Sequence, residues 1–263
     1  MATRVGHVAS TYVPPGWEEW GGPRQGMEEE DATYFDYELN ENGRLLAYGI
    51  GPGNYLTDVL AAKAAAFIAQ SAKAEHPFCL YLAPFAPNDL ATPAPRHVAA
   101  FSDPLAPGEP SFDEADVSDR PAWIRDQAAF TPEEVVSMDA RYRLRPRSLL
   151  AVNDLVATVV VALQATATLE TTYVVFTSDN GFHLDVHRMA NVKRTPYEEA
   201  IRVPLVVRGP GVPTRPVVEE LVLNIDLAPT VAELAGIATR IAGVSSRARN
   251  TVRRCMNIVR SSP

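Results

Sequence analysis

The sequence has few cysteines. Its 263 residues include two, Cys79 and Cys255, and neither belongs to a Cys-x-x-Cys pair. This count excludes a disulfide-rich scaffold and a cysteine zinc site of the usual spacing. Cys79 lies in a short apolar run, and we interpret it as a small buried hydrophobic residue.

The sequence also lacks any continuous apolar run of the roughly 20 residues that cross a bilayer. Its first residues contain no apolar core of a signal peptide, so we predict no membrane span and leave the compartment open. The net charge of −8 argues against a nucleic-acid surface over the whole chain.

Residues 238–263 differ from the rest, because they hold six arginines and no acidic residue. We predict that this segment is a basic, disordered tail, since it has little apolar surface to offset the entropy of ordering. It is either a misassembled end of the sequence or a genuine tail that binds anionic partners.

Apolar runs and helical periodicity alternate along residues 57–237, which predicts an α/β domain with a mainly parallel sheet flanked by helices. Asn42-Gly43 is a hairpin turn signal. Residues 84–130, rich in proline and acids, are predicted to form a long irregular excursion. The predicted strands are Phe78–Ala83, Thr172–Ser178 and Pro204–Arg208. The predicted helices begin at Thr57, Ser148 and Asp226.

The strongest local signal for chemistry is Asp179-Asn180-Gly181, which directly follows the second predicted strand. Ligands of open α/β sheets bind beyond the carboxyl ends of strands, and Asp and Asn oxygens suit Ca²⁺ or Mg²⁺. The same three residues are also favourable turn chemistry. The residues alone therefore support a metal site and a plain turn equally.

Two further signals follow within fifteen residues. Lys193 could hold an oxyanion as a compact positive charge, or it could be a solvated surface lysine. His183 and His187 are spaced to share one face of a helix and bind a metal, but no third ligand is in view.

Several motifs, in one order, resemble the sulfatase family. The run TSDNGFHLDVHRMANVKRTPYEEAIRVPLVVRGPGVP is similar to that family's SDNG, HLGEHR, GKxTPYEE and RVPLxVRGPG segments. HPFCLYLAPFAPNDLATPAPRH is similar to its strand followed by APHxPATPAPRH, and NIDLAPTVAELAGI also matches. The resemblance covers roughly residues 11–237 and implies that residues 1–237 form an incomplete sulfatase catalytic domain of the alkaline-phosphatase-like fold.

This resemblance implies a mechanism and assigns residues to it. Sulfatases convert a Cys or Ser into formylglycine, whose hydrate attacks sulfur, and a divalent cation, usually Ca²⁺, offsets the developing charge. By position, Asp179 and Asn180 correspond to metal ligands and Lys193 to a sulfate-binding lysine. Asn88 occupies the place of the catalytic histidine of APHxP. The implied partner is a sulfate ester or a sulfated sugar.

The sequence departs from the family at several of these positions. No C/S-x-P/A-x-R motif, from which formylglycine is made, occurs in the 263 residues. We expect the chain to begin after the segment that carries it. Asn88 cannot exchange a proton near neutral pH as histidine does. Val192 and Asp185 each replace a glycine that the family motifs usually have.

These departures leave three hypotheses. The chain is a sulfatase-derived piece without activity of its own, or a non-catalytic pseudoenzyme that binds sulfated sugars or other anions. The third hypothesis, hydrolysis of phosphate esters, requires another nucleophile near Asp179, and the sequence offers no candidate that meets this requirement.

Overall fold

The structure is a computed structural model that describes residues 11–23, 33–74, 76–102, 106, 110–189, 192–214 and 217–237. The chain divides into two compact units. Unit 1 comprises Met1–Ala167 and Leu184–Ala190, and unit 2 comprises Thr168–His183 and Asn191–Pro263. The predicted basic tail, residues 238–263, lies outside the described residues.

Unit 1 contains an antiparallel three-stranded sheet of β1 (Gly21–Pro23), β2 (Tyr37–Glu41) and β3 (Arg44–Tyr48). Asn42 and Gly43 join β2 to β3 with φ of 50° and 88°, which are the two positive values of a type I′ turn. The predicted hairpin is therefore confirmed, because its turn depends on local chemistry alone.

Helix α1 (Leu56–Ser71) follows this hairpin. Ala61, Ala64 and Ile68 recur at helical spacing and are buried, so α1 presents one apolar face to unit 1. Thr57 was predicted to cap the helix. It lies instead inside the first turn and is 1% exposed, while Tyr55 holds the cap position.

The longest helix is α3 (Pro132–Ala165), which begins 16 residues before the predicted start at Ser148. Thr131 caps it, because its hydroxyl accepts from the Glu134 amide at 3.2 Å and the Glu134 carboxylate accepts from the Thr131 amide at 2.7 Å. Ser148 lies within the helix, and its hydroxyl donates to the Arg145 carbonyl at 2.8 Å.

Helix α3 packs against α1 and contributes Ala151 and Val152 to a core cluster of unit 1. The cluster joins aromatic and small residues of α3, of the hairpin region and of residues 85–94, namely Tyr34, Tyr55, Ala86, Ala94, Ala151 and Val152. One 18-residue window of α3 meets the length and composition of a membrane span. Mostly buried core helices of soluble proteins meet the same criteria; 28% of this window is buried, and α3 supplies Ala151 and Val152 to the core cluster.

The excursion over residues 84–130 is mostly irregular, as predicted, apart from a single turn at residues 95–97 and the short helix α2 (Ala122–Arg125). Arg188 holds its second half in place. The Arg188 guanidinium donates to the carbonyls of Glu114 at 2.6 Å and Gln127 at 3.1 Å, and its Nε lies 3.1 Å from Asp113 Oδ1.

Unit 2 contains β4 (Val174–Thr177), α4 (Glu198–Ile201), β5 (Leu205–Arg208) and α5 (Leu227–Leu234). Strands β4 and β5 pair antiparallel, with Val174 opposite Arg208. The expectation of a mainly parallel sheet is not met, since every strand pair of the described residues is antiparallel.

Two predictions for the region of residues 78–83 and one for α5 are wrong. Residues 78–83 have no regular secondary structure, and Cys79 is exposed rather than buried. Asp226 precedes α5 as predicted, but its carboxylate turns back to accept from the Leu223 amide at 2.9 Å instead of capping α5.

Candidate functional site

The Asp179-Asn180 pair lies directly beyond the carboxyl end of β4, as the sequence predicts. Asp179 Oδ1 accepts from the Asn180 amide at 2.9 Å and from the Ser178 hydroxyl at 3.3 Å. The Asn180 side-chain amide donates to the Gly181 carbonyl at 2.7 Å. These contacts engage the Asn180 amide nitrogen and one Asp179 oxygen, so Asp179 Oδ2 and Asn180 Oδ1 are the atoms that could coordinate a cation.

Two residues fix the backbone of this turn. The Asn224 side-chain amide donates to the carbonyls of Ser178 and Asp179, each at 3.0 Å. The Gly181 amide donates to the Ala200 carbonyl at 2.8 Å. A Cβ added at Gly181 would lie 2.0 Å from the Glu199 carbonyl oxygen, so only glycine fits this approach.

Lys193 belongs to the same unit and is half-buried. The segment around it is anchored by His183, which is fully buried. The His183 amide donates to the Val192 carbonyl at 3.1 Å, the His183 ring is hydrogen-bonded to the Thr195 hydroxyl, and the ring meets Tyr197 edge-on at 5.7 Å. His183 therefore positions the backbone on both sides of Lys193.

The histidine pair does not form the metal-binding helical face that its spacing would allow. Residues 183–187 are not helical, because Leu184, Asp185 and His187 adopt left-handed backbone angles. His183 belongs to unit 2 and His187 to unit 1, where the His187 amide donates to the Ser111 carbonyl at 2.7 Å.

The side-chain oxygens of Asp179 and Asn180 are of the chemical type that binds a hard cation. Carboxylate and amide oxygens are the ligands that Ca²⁺ prefers, and Ca²⁺ takes about 6–8 of them. Two side-chain oxygens supply a minority of that number. Within the described part of the chain, no cluster of three or more His, Cys, Asp or Glu residues has metal-binding geometry.

Asn88 lies in unit 1, on a turn of the irregular excursion. The Asn88 carbonyl accepts from the Tyr34 hydroxyl at 2.8 Å and from the Ala91 amide at 2.7 Å. The Asn88 side-chain oxygen accepts from the Asp89 amide at 2.9 Å. Asn88 is thus held by both its backbone and its side chain.

Sequence reasoning missed Asn224 and Thr195, which position the candidate residues. Asn224 lies two residues before Asp226, which the sequence marks as a helix start, so its side-chain amide was available as a signal. The role of Thr195 depends on its approach to His183, twelve residues away along the chain, which no local pattern encodes.

Known proteins are similar to this chain over most of its length. The Sulfatase family model matches residues 10–237. An arylsulfatase of Volvox carteri is 36% identical over 88% of this chain, and the N-acetylglucosamine-6-sulfatase of Homo sapiens is 36% identical over 86%. The chain spans about 40% of the length of these two relatives.

A solved structure shares the fold. BT4656, in complex with its substrate D-glucosamine-2-N,6-O-disulfate, aligns with a TM-score of 0.68 and 22% identity over 90% of this chain and 57% of its own. Because the family model covers most of the sequence, and the order of motifs agrees with it, this chain belongs to the sulfatase family.

Proposed function

We propose that this chain contributes the cation-binding turn and the sulfate-binding lysine of a sulfatase catalytic domain, and that it does not hydrolyse sulfate esters alone. The observation that supports this proposal is the oxygen pair at the end of β4. Asp179 and Asn180 are fixed there by Asn224 and Gly181, in the same compact unit as Lys193.

Each of these residues has a definite task. Asp179 Oδ2 and Asn180 Oδ1 would hold the divalent cation that sulfatases in general use, and that cation would offset negative charge on the sulfate group. The Lys193 ammonium donates hydrogen bonds to a sulfate oxygen and orients the ester. His183 keeps the Lys193 backbone in place through its contacts with Val192 and Thr195.

The proposed substrate class is a sulfate ester. Of two relatives that are each 36% identical, one is named an arylsulfatase and the other an N-acetylglucosamine-6-sulfatase, so aryl sulfates and sugar sulfates both belong to the proposed class. Turnover is not expected, because none of the 263 residues lies in a motif from which formylglycine could form. Asn88, which stands where the family motif has a histidine, cannot supply a proton to a leaving group.

Binding of glucosamine 6-sulfate in the presence of Ca²⁺ tests the proposed site. Isothermal titration should show weak, saturable binding to the full chain that falls at least tenfold on Lys193→Ala. Lys73→Ala is the matched control, since Lys73 is exposed and lies in unit 1. Equal effects of the two substitutions would remove Lys193 from the site.

A second candidate is a non-catalytic protein that binds sulfated sugars as its function. The substitution of Asn88 for the family's histidine favours it, because this change removes proton transfer and retains hydrogen bonding. The transcript upstream of Met1 distinguishes the two candidates. An in-frame C/S-x-P/A-x-R codon series there supports the catalytic domain, and its absence from full-length transcripts supports the binding protein.

A further inference from the structure

Asp226 is a buried acidic residue to which the proposed function gives no role. It is 1% exposed, and one of its carboxylate oxygens, Oδ1, is buried without a hydrogen-bond partner among the described residues. A carboxylate that is removed from water with one oxygen unsatisfied costs free energy. Asp226 precedes α5, but its side chain makes no hydrogen bond that caps this helix. The stability of α5 therefore does not account for an acid at this position.

The other carboxylate oxygen of Asp226 closes the turn that carries Asn224. Oδ2 accepts from the Leu223 amide at 2.9 Å, and the Asp226 amide donates to the Leu223 carbonyl at 2.9 Å. Leu223 and Asp226 are thus joined by two hydrogen bonds, with Asn224 between them in the chain. The Thr230 hydroxyl donates to the Asp226 carbonyl at 2.7 Å, which ties the same turn to α5.

The segment that leads into this turn depends on these contacts. Residues 217–222 are irregular and make no hydrogen bond with any other described residue. The two bonds between Asp226 and Leu223 therefore fix the chain where it enters Asn224. The Asn224 side-chain amide in turn donates to the carbonyls of Ser178 and Asp179, each at 3.0 Å. A displacement of Leu223 would move the amide that holds the Asp179 turn.

We propose that Asp226 is a positioning residue for the cation-binding oxygens of Asp179 and Asn180, and that it acts through Leu223 and Asn224. Groups that orient metal ligands without touching the metal typically change its affinity about 10–100-fold when they are replaced. The role in cation binding rests on the proposed function, whereas the bracing of the Asp179 turn does not.

The test compares substitutions at Asp226 by isothermal titration of the full chain with Ca²⁺. Asp226→Ala removes the acceptor of the Leu223 amide and should weaken Ca²⁺ binding roughly tenfold. Asp226→Asn removes the negative charge but keeps an oxygen acceptor, so it should bind Ca²⁺ nearly as the wild type does. Asn224→Ala should weaken binding as much as Asp226→Ala, and the double variant no further, since both residues act along one path.

Glu220→Ala and Glu220→Gln are the matched controls, because they make the same changes at an exposed acid of unit 2. Equal losses for Asp226→Asn and Asp226→Ala would overturn the proposal, since the charge rather than the hydrogen bond would then set the affinity. Additive losses in the double variant would also overturn it. If Asp226→Ala fails to fold by circular dichroism, Asp226→Leu removes the acceptor with an apolar side chain suited to burial.

Amide hydrogen exchange of the metal-free chain separates this proposal from the proposed function. The Asn180 and Gly181 amides donate to the Asp179 carboxylate and the Ala200 carbonyl. Both should exchange roughly fivefold faster in Asp226→Ala, and at the wild-type rate in Asp226→Asn. If this pattern holds and the wild type binds no Ca²⁺, only the proposed function fails. Unchanged exchange at these amides in Asp226→Ala would overturn the positioning role.

Discussion

Replacing Gly181 with alanine should destabilise the turn that carries Asp179 and Asn180. The new Cβ would lie 2.0 Å from the Glu199 carbonyl oxygen, whereas an ordinary contact is roughly 3.5 Å. The backbone must therefore separate by about 1.5 Å in this direction. That movement breaks the 2.8 Å hydrogen bond from the Gly181 amide to the Ala200 carbonyl.

The change in the free energy of unfolding of Gly181→Ala has three contributions. Overpacking costs about 1–3 kcal/mol, and the lost hydrogen bond costs about 1 kcal/mol. Reduced freedom of the unfolded chain returns about 0.4–1 kcal/mol. We expect a net loss of about 1–4 kcal/mol in the free energy of unfolding, measured by urea titration with circular dichroism. Gly53→Ala is the control, because an added Cβ there meets nothing within 4 Å. Equal stability of the two variants would refute the close approach.

Three further predictions concern an ion pair, a buried hydrogen bond and the binding of Ca²⁺. Burial raises the pKa of the Asp154 carboxyl, but hydrogen bonds from His97 and Arg96 outweigh this effect and leave the pKa lowered. The stability that Asp154→Asn removes should therefore be present above the ordinary carboxyl pKa of about 3.9 and be lost as the pH falls through the lowered pKa of the folded chain; a stability difference between the two proteins that does not shrink on acidification would contradict this. Thr195→Val should cost about 1–3 kcal/mol in urea unfolding by leaving the buried His183 ring without its hydroxyl partner, and a neutral result would argue against that contact. Isothermal titration should give Ca²⁺ affinity weaker than micromolar that declines on Asp179→Asn; sub-micromolar affinity would mean that further ligands exist.

Features that depend on neighbouring residues could be predicted from the sequence. The Asn42-Gly43 turn needs two positive φ values, which these residues adopt readily, and the structure has them. The strand ending at Asp179-Asn180 was also predicted, because an apolar run followed by turn residues encodes its own boundary.

Features that depend on distant partners could not be predicted from the sequence. Strands β4 and β5 are separated by residues 178–204, a length that allows either parallel or antiparallel pairing, so the sequence leaves their direction open. One local signal was also missed, since the helix was predicted to begin at Ser148, 16 residues after the start of α3. The Thr131–Glu134 capping box, a local signal, marks the real start. The brace from Asn224 to the Asp179 turn spans 45 residues and required the folded chain.

Release of 4-nitrophenol from its sulfate ester is the most direct test of the central claim, that this chain holds sulfatase binding residues without a nucleophile. The assay uses the full chain with Ca²⁺, co-expressed with a formylglycine-generating enzyme. We predict no release above the uncatalysed background for the wild type or for Lys193→Ala. Turnover that disappears on Lys193→Ala would show a complete active site and contradict the account.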